Sequence, residues 1–105
     1  MPRDDLDLRT ITEPAYEWKD HSRYVEVIPV QTGWLVNWGH YEALGAKKFI
    51  HGSRIYREEA GVRRRLADAV LGFTKRPAEA QDALVLLDRR GGLPRHRPAP
   101  LKEPL

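Results

Sequence analysis

The stretch Tyr24–Trp38 reads Tyr-Val-Glu-Val-Ile-Pro-Val-Gln-Thr-Gly-Trp-Leu-Val-Asn-Trp, and it decides the fold. Two apolar runs rich in β-branched and aromatic residues flank Gln31-Thr32-Gly33, which is typical of a β-hairpin connection. The sequence therefore predicts one strand over residues 24–30 and a second over residues 34–38. Since alternate residues of a strand point to the same face, both tryptophans of the second strand are expected on one side of the sheet.

Further along the chain, the pattern predicts one more strand and then a helix. Lys47–His51 is predicted to form a third strand, which Gly52-Ser53 breaks, and Arg54-Ile55-Tyr56 could extend this strand or lead into the helix. Arg57–Phe73 is predicted to be helical, with acidic residues in its first turn, where the helix dipole favours them. One apolar stripe runs along this helix: Val62, Leu66, Ala69, Val70 and Phe73. We therefore predict an α+β domain in which a three- or four-stranded, mainly antiparallel sheet packs on one main helix.

The remaining segments complete the predicted domain organisation. Residues 1–14 form a predicted mobile acidic arm, residues 15–92 a single domain and residues 93–105 a mobile proline-rich tail, both ends being extended. Residues 83–88 read as a buried strand, although Pro77 and the apolar spacing also suit a helix. We assign them to a strand and keep the helix as the alternative.

Composition excludes several classes of protein. The chain has 105 residues and no cysteine, so disulfide scaffolds and cysteine-ligated metal sites are excluded. No apolar run is long enough for a membrane span, and the first residues are charged, so a cytoplasmic protein is expected. The net charge is +3 and thirteen of the 18 basic residues are arginine, which suits contacts with phosphate. A domain this small has a thin core, so association with a second copy is expected.

The strongest functional signal combines the basic helix with the aromatic hairpin. We expect a non-enzymatic binding protein with a nucleic-acid or nucleoprotein partner, in which basic side chains contact phosphates and a tryptophan stacks on bases. Two structural readings oppose this: the tryptophan face can lie under the helix, and the basic side chains can form an ordinary solvated surface. The candidate nucleic-acid-binding residues are Lys47, Lys48, Arg57, Arg63, Arg64, Arg65, Trp34 and Trp38.

The order of strand, strand, strand and helix over residues 24–73 resembles one repeat of the Pur-type single-strand-binding domains. This resemblance implies a nucleic-acid partner and assigns no residue a role. The alternative function is a protein-interaction module or small regulatory subunit that uses a sheet edge or the proline-rich tail.

Catalysis and metal binding have no support in the sequence. It contains no glycine-rich phosphate loop, no serine in a nucleophile-elbow context and no cysteine nucleophile. The histidines lack known ligand spacings, although His40 and His51 could approach one another across two strands. We expect no enzymatic activity, no cofactor and no metal.

Overall fold

The computed structural model describes residues 10–42 and 47–98, and for residues 10–12 and 97–98 it describes the backbone. The elements of this part of the chain are β1 (Thr10–Thr12), β2 (Tyr16–Asp20), β3 (Arg23–Val30), β4 (Gly33–Tyr41), β5 (Lys48–Tyr56), α1 (Glu59–Thr74), α2 (Pro77–Arg89) and β6 (His96–Pro98). Strands β2-β3-β4-β5 form one antiparallel sheet in that order, and β1 pairs separately with β6. The predicted α+β class and the antiparallel sheet are confirmed.

The predicted hairpin joins β3 to β4. Val30 pairs with Gly33, so Gln31 and Thr32 form a two-residue connection. Gly33 has a φ of +154°, and a Cβ atom there would lie 2.0 Å from the carbonyl oxygen of Tyr56. Only glycine fits where the hairpin meets the end of β5.

One face of the sheet packs against the helices and forms the core. The register places Val25 opposite Trp38 and Val27 opposite Val36, so these residues share that face. They pack with Val62 and Leu66 of α1, and all of these valines and the leucine are fully buried. The predicted face that carries both tryptophans therefore lies under the helices.

The third strand is longer than the sequence indicates. We expected Gly52-Ser53 to break it, with residues 54–56 either extending the strand or leading into the helix, and β5 continues through the glycine to Tyr56. A Cβ atom at Gly52 would lie 2.2 Å from Cζ2 of Trp38, so glycine makes room for the indole ring inside the strand. The register changes next to this point, and His51 is left without a ladder partner, which is a β-bulge.

The assignment of residues 83–88 to a strand is wrong. They belong to α2, which begins at Pro77, a residue that tolerates the first helical position. Ala80, Ala83 and Leu87 are buried against the core, whereas Val85 is 45% exposed. An apolar run this short has no distinct period, so only the tertiary contacts decide between strand and helix. The single main helix of the prediction is therefore a pair of helices.

The segments outside the sheet and helices are held at two places. The indole N–H of Trp34 donates to the carbonyl oxygen of Pro94 at 2.6 Å, and Pro94 is itself fully buried. Beyond it, β6 pairs with β1, with Ile11 opposite Arg97. The remaining parts of the predicted arm and tail, residues 1–9 and 99–105, lie outside the described residues. Neither helix in the described part of the chain has the length and apolar character needed to cross a bilayer.

Candidate nucleic-acid interface

A basic groove runs between the edge strand β5 and the first half of α1. Its larger part has a volume of about 410 Å³ and its smaller part about 310 Å³. Tyr56 and Gly61 line both parts and bring strand and helix close together. The cations of this arginine groove are Arg54, Arg57, Arg64 and Arg65, and its acidic residues are Glu58 and Asp68. Four arginines against two carboxylates leave a net charge of +2 at the groove.

Two of these arginines are positioned by aromatic rings beneath them. The Arg65 guanidinium lies 4.4 Å from the ring centroid of Trp38, and that of Arg54 lies 5.7 Å from Tyr56. Such cation–π contacts hold the charge in place while its N–H groups remain able to donate. Arg65 also approaches Asp68 at 4.0 Å, which is a weak, partly solvated ion pair. The groove therefore presents cations with restricted side-chain freedom.

Arg63 leaves the groove, although its neighbours in sequence enter it. Its guanidinium donates two hydrogen bonds to the Asp88 carboxylate of α2, at 2.8 and 3.2 Å. These bonds lower the pKa of the Asp88 carboxyl and raise that of the arginine. Residues 63–65 point in different directions because consecutive helix positions are about 100° apart.

The two predicted lysines lie away from the groove. Lys48 donates to Glu26 at 3.0 Å and lies 3.9 Å from Glu17, on the sheet face opposite the helices. The hydrogen bond to Glu26 raises the pKa of Lys48. Lys47 lies over the ring of Phe49, 5.5 Å from its centroid. The structure thus places Arg57, Arg64 and Arg65 in the groove and the other three predicted phosphate contacts, Lys47, Lys48 and Arg63, outside it.

Neither predicted tryptophan offers an open ring face in this structure. Trp34 is 8% exposed, and its indole N–H is bonded to Pro94. Trp38 is partly buried and carries the Arg65 guanidinium on its ring. The Trp38 ring supports a cation of the groove, whereas base stacking needs a free ring face.

Arg54 and Tyr56 line the groove, although neither is among the candidate nucleic-acid-binding residues of the prediction. The signal was present in the alternation of a strand: Arg54 and Tyr56 are two positions apart, so a strand that continues past Gly52 points both to one face. The predicted set does not include them because Gly52-Ser53 was expected to break the strand before Arg54. The same alternation places Ile55 on the opposite face.

A histidine pair lies on the helix side of the sheet, where His51 at the bulge of β5 approaches His40 of β4. Nδ1 of His40 and Nε2 of His51 are 2.7 Å apart, as expected from the approach of their strands. Among the described residues, no group of three or more histidine, cysteine, aspartate or glutamate side chains is arranged to hold a metal ion. The two imidazole rings are joined by a hydrogen bond, and the ring centroid of Phe73 lies 6.1 Å from that of His51.

Comparison of the chain with protein-family models, with curated proteins and with solved structures finds no match. The resemblance to Pur-type domains therefore rests on the order of the elements alone, and the groove itself carries the functional argument.

Proposed function

We propose that this protein is a non-enzymatic nucleic-acid-binding protein whose phosphate contacts are made in the arginine groove. The observation that carries the proposal is the convergence of Arg54, Arg57, Arg64 and Arg65 from β5, α1 and the connection between them onto one groove. Arginine donates through a planar fork that matches phosphate oxygens, and neutralising phosphates releases counterions. The proposal keeps Arg57, Arg64 and Arg65 from the predicted set and adds Arg54.

Arg63 and Arg64 provide a matched pair for the test because they are adjacent on the same helix. Arg64→Ala removes a groove cation, whereas Arg63→Ala removes the partner of Asp88. Binding of labelled single- and double-stranded oligonucleotides is measured by fluorescence anisotropy at 50 and 200 mM salt, concentrations chosen in the range where phosphate contacts dominate.

We expect wild-type binding that weakens with salt. Arg64→Ala should reduce the slope of log K against log salt by about 0.7–0.9, the contribution of one phosphate contact. Arg63→Ala should leave that slope unchanged. Absence of wild-type binding at the lower salt would end the proposal, and equal losses in both variants would remove the groove as the site.

A second candidate function is protein interaction through the sheet edge. It is favoured by Phe49, Ile50 and Ile55 of β5, which are 41%, 58% and 58% exposed. Co-purification of a stoichiometric protein partner without nucleic acid would favour this function over the first. The cytoplasmic location and the lack of enzymatic activity stay predictions from the sequence.

A further inference from the structure

Strand β5 leaves one row of backbone hydrogen-bonding groups without a partner in the described part of the chain. The amide of Tyr41 donates to the carbonyl of Ser22, so this residue of β4 is bonded toward β3. Bonding direction alternates along an antiparallel strand, so the β5 residues opposite Leu35, Asn37, Gly39 and Tyr41 point their backbone groups away from β4. These β5 residues are Lys48, Ile50, Ser53 and Ile55.

The bulge at His51 brings two exposed isoleucines into phase. In a regular strand, residues five positions apart point to opposite faces and opposite edges. Ile50 and Ile55 are five apart, but the extra residue between them puts both side chains on the open sheet face. Each is 58% exposed, and the backbone groups of each face the free edge. Such an edge is a ready template for another strand.

We propose that a second copy of this chain pairs with β5 in antiparallel orientation, with Ile50 opposite Ile55 of the second copy. This register also places Phe49 opposite Tyr56 of the second copy, on the helix side. With the bulge kept in both copies, Ser53 lies opposite Ser53 of the second copy, and the two-fold axis passes between these two serines. The two four-stranded sheets become one continuous sheet of eight strands, with the helices of both copies on the same side.

Self-complementarity of β5 identifies a second copy as the occupant. In this register each isoleucine lies opposite an isoleucine of the second copy, and Phe49 and Tyr56 lie opposite each other. The two-fold symmetry repeats each pair. Shifting the register by two residues would place Ile50 opposite Ser53 and Ile55 opposite Lys48, so the apolar pairs would be lost. Register is set by such patterns on a sheet. The other edge, β2, has only five residues and carries the exposed charges of Glu17 and Lys19.

Dimerisation would join the two arginine grooves. Each groove lies between β5 and α1, so the two lie side by side across the two-fold axis. Arg54 and its groove neighbours from both copies would then line one trough, whose floor is the paired β5 strands and whose walls are the two α1 helices. This consequence rests on the proposed function. The arginines of the two copies repel one another across the trough, and a nucleic acid bound between them would neutralise this repulsion. Salt should therefore strengthen dimerisation and weaken nucleic-acid binding.

The dimer is tested by sedimentation velocity of the full chain without nucleic acid, over a range of concentrations. The monomer has a mass of 12.1 kDa, and we expect the observed mass to rise toward twice that value with increasing concentration. Ile55→Lys adds a charge to the pairing edge and should weaken dimerisation at least about tenfold. Leu86→Lys is the matched control, since Leu86 is 50% exposed on α2 and lies outside the edge. A wild type that stays monomeric up to about 1 mM, or an Ile55→Lys variant that dimerises like the wild type, overturns the proposal.

The register has its own test, because the chain contains no cysteine. Facing residues of a hydrogen-bonded pair have Cα atoms about 5.5 Å apart, within the range of a disulfide. Mixing Ile50→Cys protein with Ile55→Cys protein should give an oxidised heterodimer, and either variant alone should not cross-link at that rate. Equal cross-linking of a single variant overturns the register. Dimerisation without oligonucleotide binding would refute the proposed function alone, and oligonucleotide binding by a monomer would refute the dimer alone.

Discussion

Two glycines of α1 should respond in opposite ways to the same substitution. Gly61 lies beneath Tyr56, and an added Cβ atom would be 2.8 Å from Cδ1 of that ring. Gly72 faces open space, with nothing within 4 Å of an added Cβ atom among the described residues. Alanine in place of glycine favours a helix by about 1 kcal/mol. Gly72→Ala should therefore raise the free energy of unfolding by up to about 1 kcal/mol, the gain being smaller near the helix end.

At Gly61 the same gain is opposed by overpacking. Forcing a methyl group into filled space costs about 1–3 kcal/mol. The Tyr56 backbone is held where its carbonyl oxygen closely approaches Gly33, so the ring can move away from α1 only by rotation of its own side chain. Gly61→Ala should therefore lower the free energy of unfolding by about 1 kcal/mol, which corresponds to a decrease of about 4–8 °C in Tm for a domain of this size.

Urea denaturation of the two variants and the wild type measures this difference, provided that the m-values agree. The expected gap between Gly72→Ala and Gly61→Ala is about 2 kcal/mol. If both variants were stabilised equally, the close approach of Tyr56 to α1 would be refuted. The wall of the arginine groove would then be misplaced as well, because Tyr56 and Gly61 line it together.

Further predictions concern a polar cluster on the open sheet face, which consists of Tyr24, Tyr41, Lys48, Glu17 and Glu26. The hydroxyl of Tyr24 is buried without a hydrogen-bond partner among the described residues, so Tyr24→Phe should stabilise the protein by up to about 1 kcal/mol in urea denaturation. Tyr41→Phe is the contrasting variant, since it removes the hydrogen bond to Glu17 and should cost about 0.5–1.5 kcal/mol. Burial raises the pKa of both tyrosines, and the bond to Glu26 raises that of Lys48. A raised folded-state pKa gives stability that is present below the unfolded-state pKa and lost as pH rises through the folded value, so urea midpoints should fall above about pH 10. Unchanged midpoints between neutral pH and pH 11 would contradict the cluster.

The hairpin and the first helix were predictable because each has a local sequence signal that fits one kind of secondary structure. Two apolar runs rich in β-branched residues around Gln31-Thr32-Gly33 indicate a hairpin, and the apolar stripe from Val62 to Phe73 indicates a helix and its buried face. The observed α1 differs from the predicted range by two residues at its start and one at its end. Together these elements determine the α+β class.

The missed features depend on contacts between residues distant in sequence. Gly52 looks like a strand break until Trp38 occupies the space above it, and residues 83–88 look like a strand until α1 covers one side of them. The predicted set of site residues was inaccurate for the same reason. Arg63 cannot be separated from Arg64 without knowing that Asp88 of α2 lies within reach of one of them. Local pattern indicated a basic helix, and tertiary structure selected which cations share the groove.

The pairing of β1 with β6 has a consequence for the order of folding. It brings together segments near the two ends of the described chain, and the nearby hydrogen bond from Arg95 to Glu13 spans 82 residues. The entropy lost on closing a loop grows with its length, so this contact is costly until the intervening chain is compact. The hairpin of β3 and β4 closes through only two residues and can form early. The pairing of β1 with β6 should therefore form last, and protection of its amides from hydrogen exchange would mark the final step of folding.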